Sequence, residues 1–454
     1  MDSNIKLKAE KLIKITNGNI CNHCLGRKFS DSIEASNNEE RGQIIRSELN
    51  IENFDLSENS YQPCEICENL LIKINTSQSK EYILKKVEDK INYLELEYDT
   101  FLIGSKIPKS IIENDEKFNE LIQAEEPENI KKDINRSIGE YLEKHLQKEV
   151  NFKDSDVVML IDLRNFTANN SKNKDYTKDI KTSVAKNQKN NDSQENSYVE
   201  KVKVRIQINP LFIEGRYLKN VRNIPQTKWP CRKCKGKGCE ACNFTGKMYQ
   251  ESVEELISNI VLKETKSRIS KFHGAGREDI DVRMLGSGRP FVLEIKEPKK
   301  RNLDLDKIGK KVNDYSKGKT EYHDLKFVEK IRKAEIKVSS PDTFKTYRAL
   351  VECEENVSKE ELAILQSLNI INQRTPQRVS HRRSDKIRKK EVKELSTKLL
   401  NPKSFEMIVK TEGGLYIKEL ISGDDGRTKP SVSDLLKTKS ICKQLDVIEV
   451  ASEK

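Results

Sequence analysis

The stretch GREDIDVRMLGSGRPF, residues 276–291, sets carboxylates beside arginines and glycines. That mixture suits a buried nucleophilic acid better than an ordinary surface loop. Ile280, Val282 and Met284 alternate with Asp279, Asp281 and Arg283, the period of a strand that buries one face. Both aspartates then fall on the other face and share one environment. From residue 250 onward, strand-like and helical patterns mix without a regular βαβ repeat, which predicts an α+β domain on a mixed, largely antiparallel sheet.

At 454 residues the chain exceeds one typical domain, so several modules are expected. Hydrophobic and charged residues each make up 35%, and 84 Lys+Arg against 73 Asp+Glu leave a net charge of +11. That excess favours a polyanionic partner, most simply nucleic acid, although a merely well-solvated surface gives a similar balance. No apolar run approaches the ~20 residues of a membrane span, and the N-terminal residues lack the apolar core and cleavage site of a secretory signal. A cytoplasmic chain with no membrane partner is expected.

Eight of the ten cysteines fall in Cys-x-x-Cys pairs, and in a reducing compartment metal binding is favoured over disulfides. Cys21 and Cys24 with Cys64 and Cys67 supply four thiolates for a tetrahedral zinc that ties the chain start to a later segment. A thiol redox pair is the alternative, without a recognisable βαβ context to support it. CRKCKGKGCEAC is tighter and supplies Cys231, Cys234, Cys239 and Cys242, with Gly236 and Gly238 freeing the backbone to wrap a metal. One or two structural zincs are expected. The lysines around this second knuckle either meet phosphate or only solvate a staple. Cys353 and Cys442 have no partner motif and read as ordinary buried thiols.

Residues 1–71 read as a helical, zinc-tied module. In 82–108 a helical period gives way to strand alternation, and a helix-rich stretch runs to about residue 150. VVMLIDL (157–163) and VKVRIQI (202–208) are strand candidates. Between them, 167–197 is almost devoid of apolar residues and reads as a disordered insert. Residues 209–229 interleave Arg216, Lys219, Arg222 and Lys228 with Phe212, Tyr217 and Trp229. That pattern favours RNA contact, although loop residues packed against a neighbour would look the same. Ser252 with Glu255 fits a capping box ahead of a helix over 253–265.

Three later segments bear on the carboxylates: KTYRALVEC (345–353), the basic run RTPQRVSHRRSDKIRKK (374–390), and EGGLYIKELISGDDGRTKPSV (412–432). Gly-Arg-x-Asp, Lys-x-Tyr-x-Ala-Leu-Val and Gly-x-Tyr-Ile-Lys-Glu-Leu, in that order, resemble the core motifs of pseudouridine synthases. With CNHCLGR, FIEGRYLKNVRNIPQTKWPC and DGRTKPSV, nearly the whole chain resembles the archaeal and eukaryotic tRNA pseudouridine synthase family that modifies uridines 54 and 55 of the T arm. The resemblance implies a THUMP-like α/β region over 72–210, a basic linker and zinc knuckle over 211–249, and a catalytic domain over 250–454.

By the same resemblance Asp279 is the implied catalytic aspartate. Asp281 becomes a structural acid that pairs with Arg283 or Arg289. Tyr347 is implied to stack on the target base, Tyr416 to contact substrate, and Lys418 to keep the acid ionised. Arg277 belongs to the aspartate motif, and Arg382 and Arg383 lead the basic run expected to grip tRNA. The chemistry needs no cofactor. It breaks the C1′–N1 bond of uridine and rejoins the uracil through C5, with no redox change. Attack at C1′, attack at C6 and help with proton removal stay equally open for the carboxylate.

A non-catalytic tRNA-binding protein or chaperone is the alternative, and it would not need the acid and tyrosine set. A methyltransferase or thiolation enzyme would need a glycine-rich loop opening a helix, and GSGRPF opens none. A monomer acting on the T arm of tRNA is the partner expectation.

Overall fold

The computed structural model describes residues 1–51, 62–166, 202–338 and 344–450. The expected insert at 167–197 lies outside them. The chain divides into two compact units, Met1–Asn209 and Pro210–Lys454.

In the first unit Ser77–Leu94, capped by Thr76, buries Ser79, Ile83 and Val87 on one side. The strands Thr100–Lys106 and Val157–Asp162 pair in parallel. Lys203–Ile208 adds antiparallel to the second of these, and the short Glu149–Val150 flanks the first. The helices Lys109–Ile122 and Ile130–Leu146 lie between the strands in sequence. Residues 1–71 do not form a core of their own. Leu12, Leu25 and Ile45 belong to the same apolar cluster as Phe101, Ile134 and Met159. Arg27 and Lys28, both buried, converge on the buried Asp115. A carboxylate shared by two buried cations fixes this junction, because either charge left alone would be costly.

The second unit is built on a ten-stranded sheet. Its middle runs Ser404–Glu412, Phe344–Cys353, Ser440–Val450, Arg283–Lys296, Leu211–Lys219. Only the contact between Ser440–Val450 and Arg283–Lys296 is parallel among the pairs around this sheet. The helix Val253–Glu264 starts as the sequence implies, with Ser252 Oγ accepting from Glu255 N at 3.2 Å. It buries Val253, Leu256, Ile257 and Val261.

Three expectations are corrected here. Leu211–Lys219 is an internal strand of the sheet rather than linker. Within it Phe212, Tyr217 and Lys219 are buried, so they cannot contact RNA. And residues 275–282 form a loop, with the strand beginning only at Arg283. The apolar alternation survives as Val282 and Met284 turned into the core, but Asp279 and Asp281 do not share a strand face.

The glycines of GSGRPF lie inside that strand. At Gly286, which has φ +65°, an added Cβ would come 1.9 Å from Ile448 O, so the neighbouring backbone approaches only because no side chain stands there. Cys353 is buried and Cys442 half-buried.

Candidate active site

Along its backbone, loop 275–282 is held by side-chain donors that reach its carbonyls. Arg289 Nη1 donates to Ala275 O at 2.9 Å, and Gln226 Nε2 to Gly276 O at 3.0 Å. Lys219 Nζ reaches Asp279 O and Ile280 O, each at 3.2 Å, and Arg222 Nη1 reaches Asp281 O at 2.7 Å. The left-handed Gly276, φ +87°, starts the turn. With the carbonyls drawn inward, the aspartate side chains are left outside.

Beneath the loop sits a buried charge cluster that sequence patterning did not reveal. Glu278 accepts from Tyr217 Oη at 2.8 Å and lies 3.1 Å from Arg289 Nε and 3.8 Å from Lys219 Nζ. All four side chains are buried. Burial, reinforced by Glu278, pushes the Tyr217 hydroxyl well above its ordinary range. Burial also pulls the Lys219 ammonium below its ordinary value, although Glu278 works against this. Two cations share one carboxylate, so the floor carries a surplus positive charge. The one hint in the sequence was Lys219 at the end of the strand Leu211–Lys219.

Asp279 is 31% exposed and Asp281 50%. Arg378 Nη1 lies 2.9 Å from Asp279 Oδ2. The same guanidinium bonds Glu419 and sits over the Tyr416 ring, 5.7 Å from its centroid. Lys418 Nζ lies 3.6 Å from Asp279 but grips Asp281 at 2.7 and 2.9 Å. Burial alone would raise the Asp281 carboxyl, and the Lys418 ammonium more than offsets it, so the group is held below the usual range.

The expected partners of Asp281 are therefore corrected. Arg283 is engaged by Asp446 and Arg289 by Glu278, and Lys418 takes their place. Tyr416 is fixed as the residue preceding the helix Ile417–Ser422, its backbone N–H donating to Gln373 Oε1 at 2.8 Å.

A cavity of about 1200 Å³ opens over this floor. Asp279, Tyr347, Tyr416, Arg277, Arg382 and Arg383 all line it, so six of the seven expected site residues meet at one space. The seventh, Lys418, stands just behind Asp279. Among the described residues lining it, Asp279 is the one acid, and its walls add Lys345, Arg388, Lys389 and Lys390. Burial brings the Lys345 ammonium down to about 8, with Arg289 and Lys390 pushing the same way.

The basic run is not uniform. Arg374 is tied to Asp385 at 2.9 Å and Arg378 to the carboxylates above, whereas Arg382 and Arg383 are exposed and line the cavity.

Each cysteine tetrad brings its four sulfurs within 4.8 Å of one another. The first is buried throughout. In the second, Gly238 N and Gly246 N donate to Cys234 and Cys242 Sγ at 3.2 Å each, and Cys239 N to Cys242 Sγ at 3.3 Å. Four converging thiols, two of them accepting these backbone N–H bonds, are a donor set suited to tetrahedral zinc.

A basic, tyrosine-lined cavity with one carboxylate among its lining residues, carried on this mixed sheet, fits a pseudouridine synthase, an isomerase. Comparison with known proteins narrows this. The profile of the Pus10 C-terminal region matches residues 212–451 and that of the archaeal Pus10 THUMP domain residues 83–162, and the chain belongs to the Pus10 family. A tRNA pseudouridine synthase Pus10 from Methanothermobacter marburgensis is 43% identical over 446 residues, 98% of each chain. One from Methanocaldococcus jannaschii is 55% identical over 258 residues, 56% of each chain. A Cbf5–Nop10–Gar1 complex contains a chain similar at 13% identity and TM-score 0.28, over 52% of this chain and 49% of that one.

Proposed function

We propose that this protein is a tRNA pseudouridine synthase that isomerises uridines 54 and 55 in the T arm, with Asp279 as the catalytic carboxylate. The observation that carries the reading is Asp279 itself, a partly exposed acid in a basic cavity, braced by Arg378 and sharing its walls with Tyr347. The names of the relatives supply the tRNA, and the THUMP match supplies a second region for holding it.

The target uridine leaves its stack, at a cost of a few kcal/mol, to enter the cavity. Phosphate contacts from Arg382 and Arg383 offset that cost, and Tyr347 receives the uracil face. The Asp279 carboxylate then attacks the sugar carbon or C6 of the base, or assists proton removal. The C1′–N1 bond breaks, the uracil turns, C5 bonds to C1′ as any Asp279–carbon bond formed by the attack is released, and the proton lost from C5 is matched by one gained at N1. Atoms balance without a redox partner. Both cysteine tetrads hold structural zinc, and the enzyme works in the cytoplasm as a monomer.

The test is incubation of zinc-loaded protein with an unmodified tRNA transcript, followed by mapping of pseudouridine. Product at 54 and 55, absent with Asp279→Ala, is expected. A folded, zinc-loaded protein that forms none would overturn the reading.

A further inference from the structure

The second tetrad carries more on its surface than a staple needs. Arg232, Lys233, Lys235 and Lys237 are exposed, and none of them pairs with a carboxylate among the described residues. The thiolates do not call for them as counter-ions, since backbone N–H groups of Gly238, Cys239 and Gly246 already point at the sulfurs. The same knuckle carries Phe244, 73% exposed and at φ +60°, its backbone N–H donating to Cys239 O at 2.9 Å. A left-handed backbone at a non-glycine residue costs about 1 kcal/mol, and an exposed aromatic returns none of that through burial.

The knuckle is also joined to the catalytic loop. Cys231 N donates to Gly246 O at 2.8 Å and Met248 N to Trp229 O at 2.9 Å, which closes a hairpin at its base. The Trp229 ring packs edge-on against Tyr249 and carries the Arg277 guanidinium 4.9 Å from its centroid. Arg277 lines the cavity two residues from Asp279.

We propose that this knuckle is an RNA-contacting arm. Phe244 stacks on an unpaired base of the substrate while Arg232, Lys233, Lys235 and Lys237 hold the flanking phosphates. An exposed ring and unpaired cations carried on one small knuckle suit single-stranded RNA recognition. The inference rests on the proposed RNA substrate and specifies where outside the cavity that RNA is gripped.

The test uses the full zinc-loaded chain and an unmodified tRNA transcript. Lys233→Gln/Lys235→Gln/Lys237→Gln should lower the slope of log affinity against log salt by about 2, since each phosphate contact contributes roughly 0.7–0.9. Phe244→Ala should weaken binding roughly tenfold without changing that slope. Both variants should keep the zinc content of the native chain and, at saturating tRNA, its kcat. Unchanged affinity and salt slope in both, with zinc retained, overturns the arm, including the case where the knuckle instead binds another protein. Pseudouridine formation by the native chain, run alongside, separates that failure from failure of the proposed function.

Discussion

Arg378 reaches Asp279 at 2.9 Å while its other edge holds Glu419, so one guanidinium is clamped between the candidate catalyst and a buried carboxylate on the helix Ile417–Ser422. Glu419 fixes where the arginine stands, and the arginine fixes where Asp279 points. A planar fork can serve both sides at once, whereas a lysine ammonium cannot. Arg378→Lys should therefore lower kcat about 10- to 100-fold with a smaller change in KM, because misplacing a reacting group costs rate rather than affinity. Steady-state kinetics on tRNA decide the point. A change in KM alone would make Arg378 a phosphate ligand.

The two aspartates of the loop should separate cleanly. Asp279→Asn keeps the shape and removes the candidate catalytic carboxylate, and turnover should fall by roughly three orders of magnitude or more, with tRNA affinity within a few-fold of native. Asp281→Asn only releases Lys418, which already stands 3.6 Å from Asp279, and activity should stay within about tenfold. Equal losses in single-turnover assays would show that the pair acts as one group.

Glu278 is where stability is most exposed to a single change. Glu278→Leu strands Lys219 and Arg289 without their shared carboxylate and should cost about 3–5 kcal/mol. Urea denaturation measures it. Adding Lys219→Met should return part of the loss, because the two side chains are coupled rather than additive.

Lys345 gives the site a pH response. Its ammonium, brought down to about 8 by burial, is present below that pH and lost above it, so tRNA affinity should weaken as pH rises from 7 to 9. The unfolded chain keeps this proton up to about 10.4. Between the two values the unfolded state binds more protons, so this group makes the fold more stable as pH rises through that window. Lys345→Met should flatten both trends, and a binding series across that range, paired with thermal melts, tests the assignment.

Zinc analysis of the purified chain should give two ions. Cys64→Ser opens a wholly buried tetrad and should lower the melting temperature of the first unit sharply, since metal affinity there is folding free energy. Cys239→Ser opens a tetrad only partly covered, and it should lose its zinc while the sheet of the second unit still melts near the native temperature.

How far the sequence could be read follows from the kind of pattern each element leaves. Paired cysteines, the Ser252 cap and the strands around 157–163 and 202–208 are local signals, and the structure carries each where expected. Loop 275–282 misled because Val282 and Met284 anchor in the core while the residues before them turn. Alternation records burial, not backbone conformation. Leu211–Lys219 misled in the opposite way. Its Lys219 and Tyr217 look like a surface pattern but face a buried carboxylate 61 residues later in the case of Tyr217. Arg378 was legible only as one charge in a basic run, because its partners Asp279 and Glu419 lie on other elements.

One further consequence belongs to synthesis on the ribosome. Asp279 precedes the strand Arg283–Lys296, Tyr347 lies on Phe344–Cys353, and the strand that sits between them, Ser440–Val450, is made long after both. Until it emerges and inserts, the acid and the tyrosine have no common frame. On the proposed assignment, a nascent or prematurely terminated chain would carry the basic residues of the cavity without its assembled acid and tyrosine, and chemistry would begin only as the sheet is sealed.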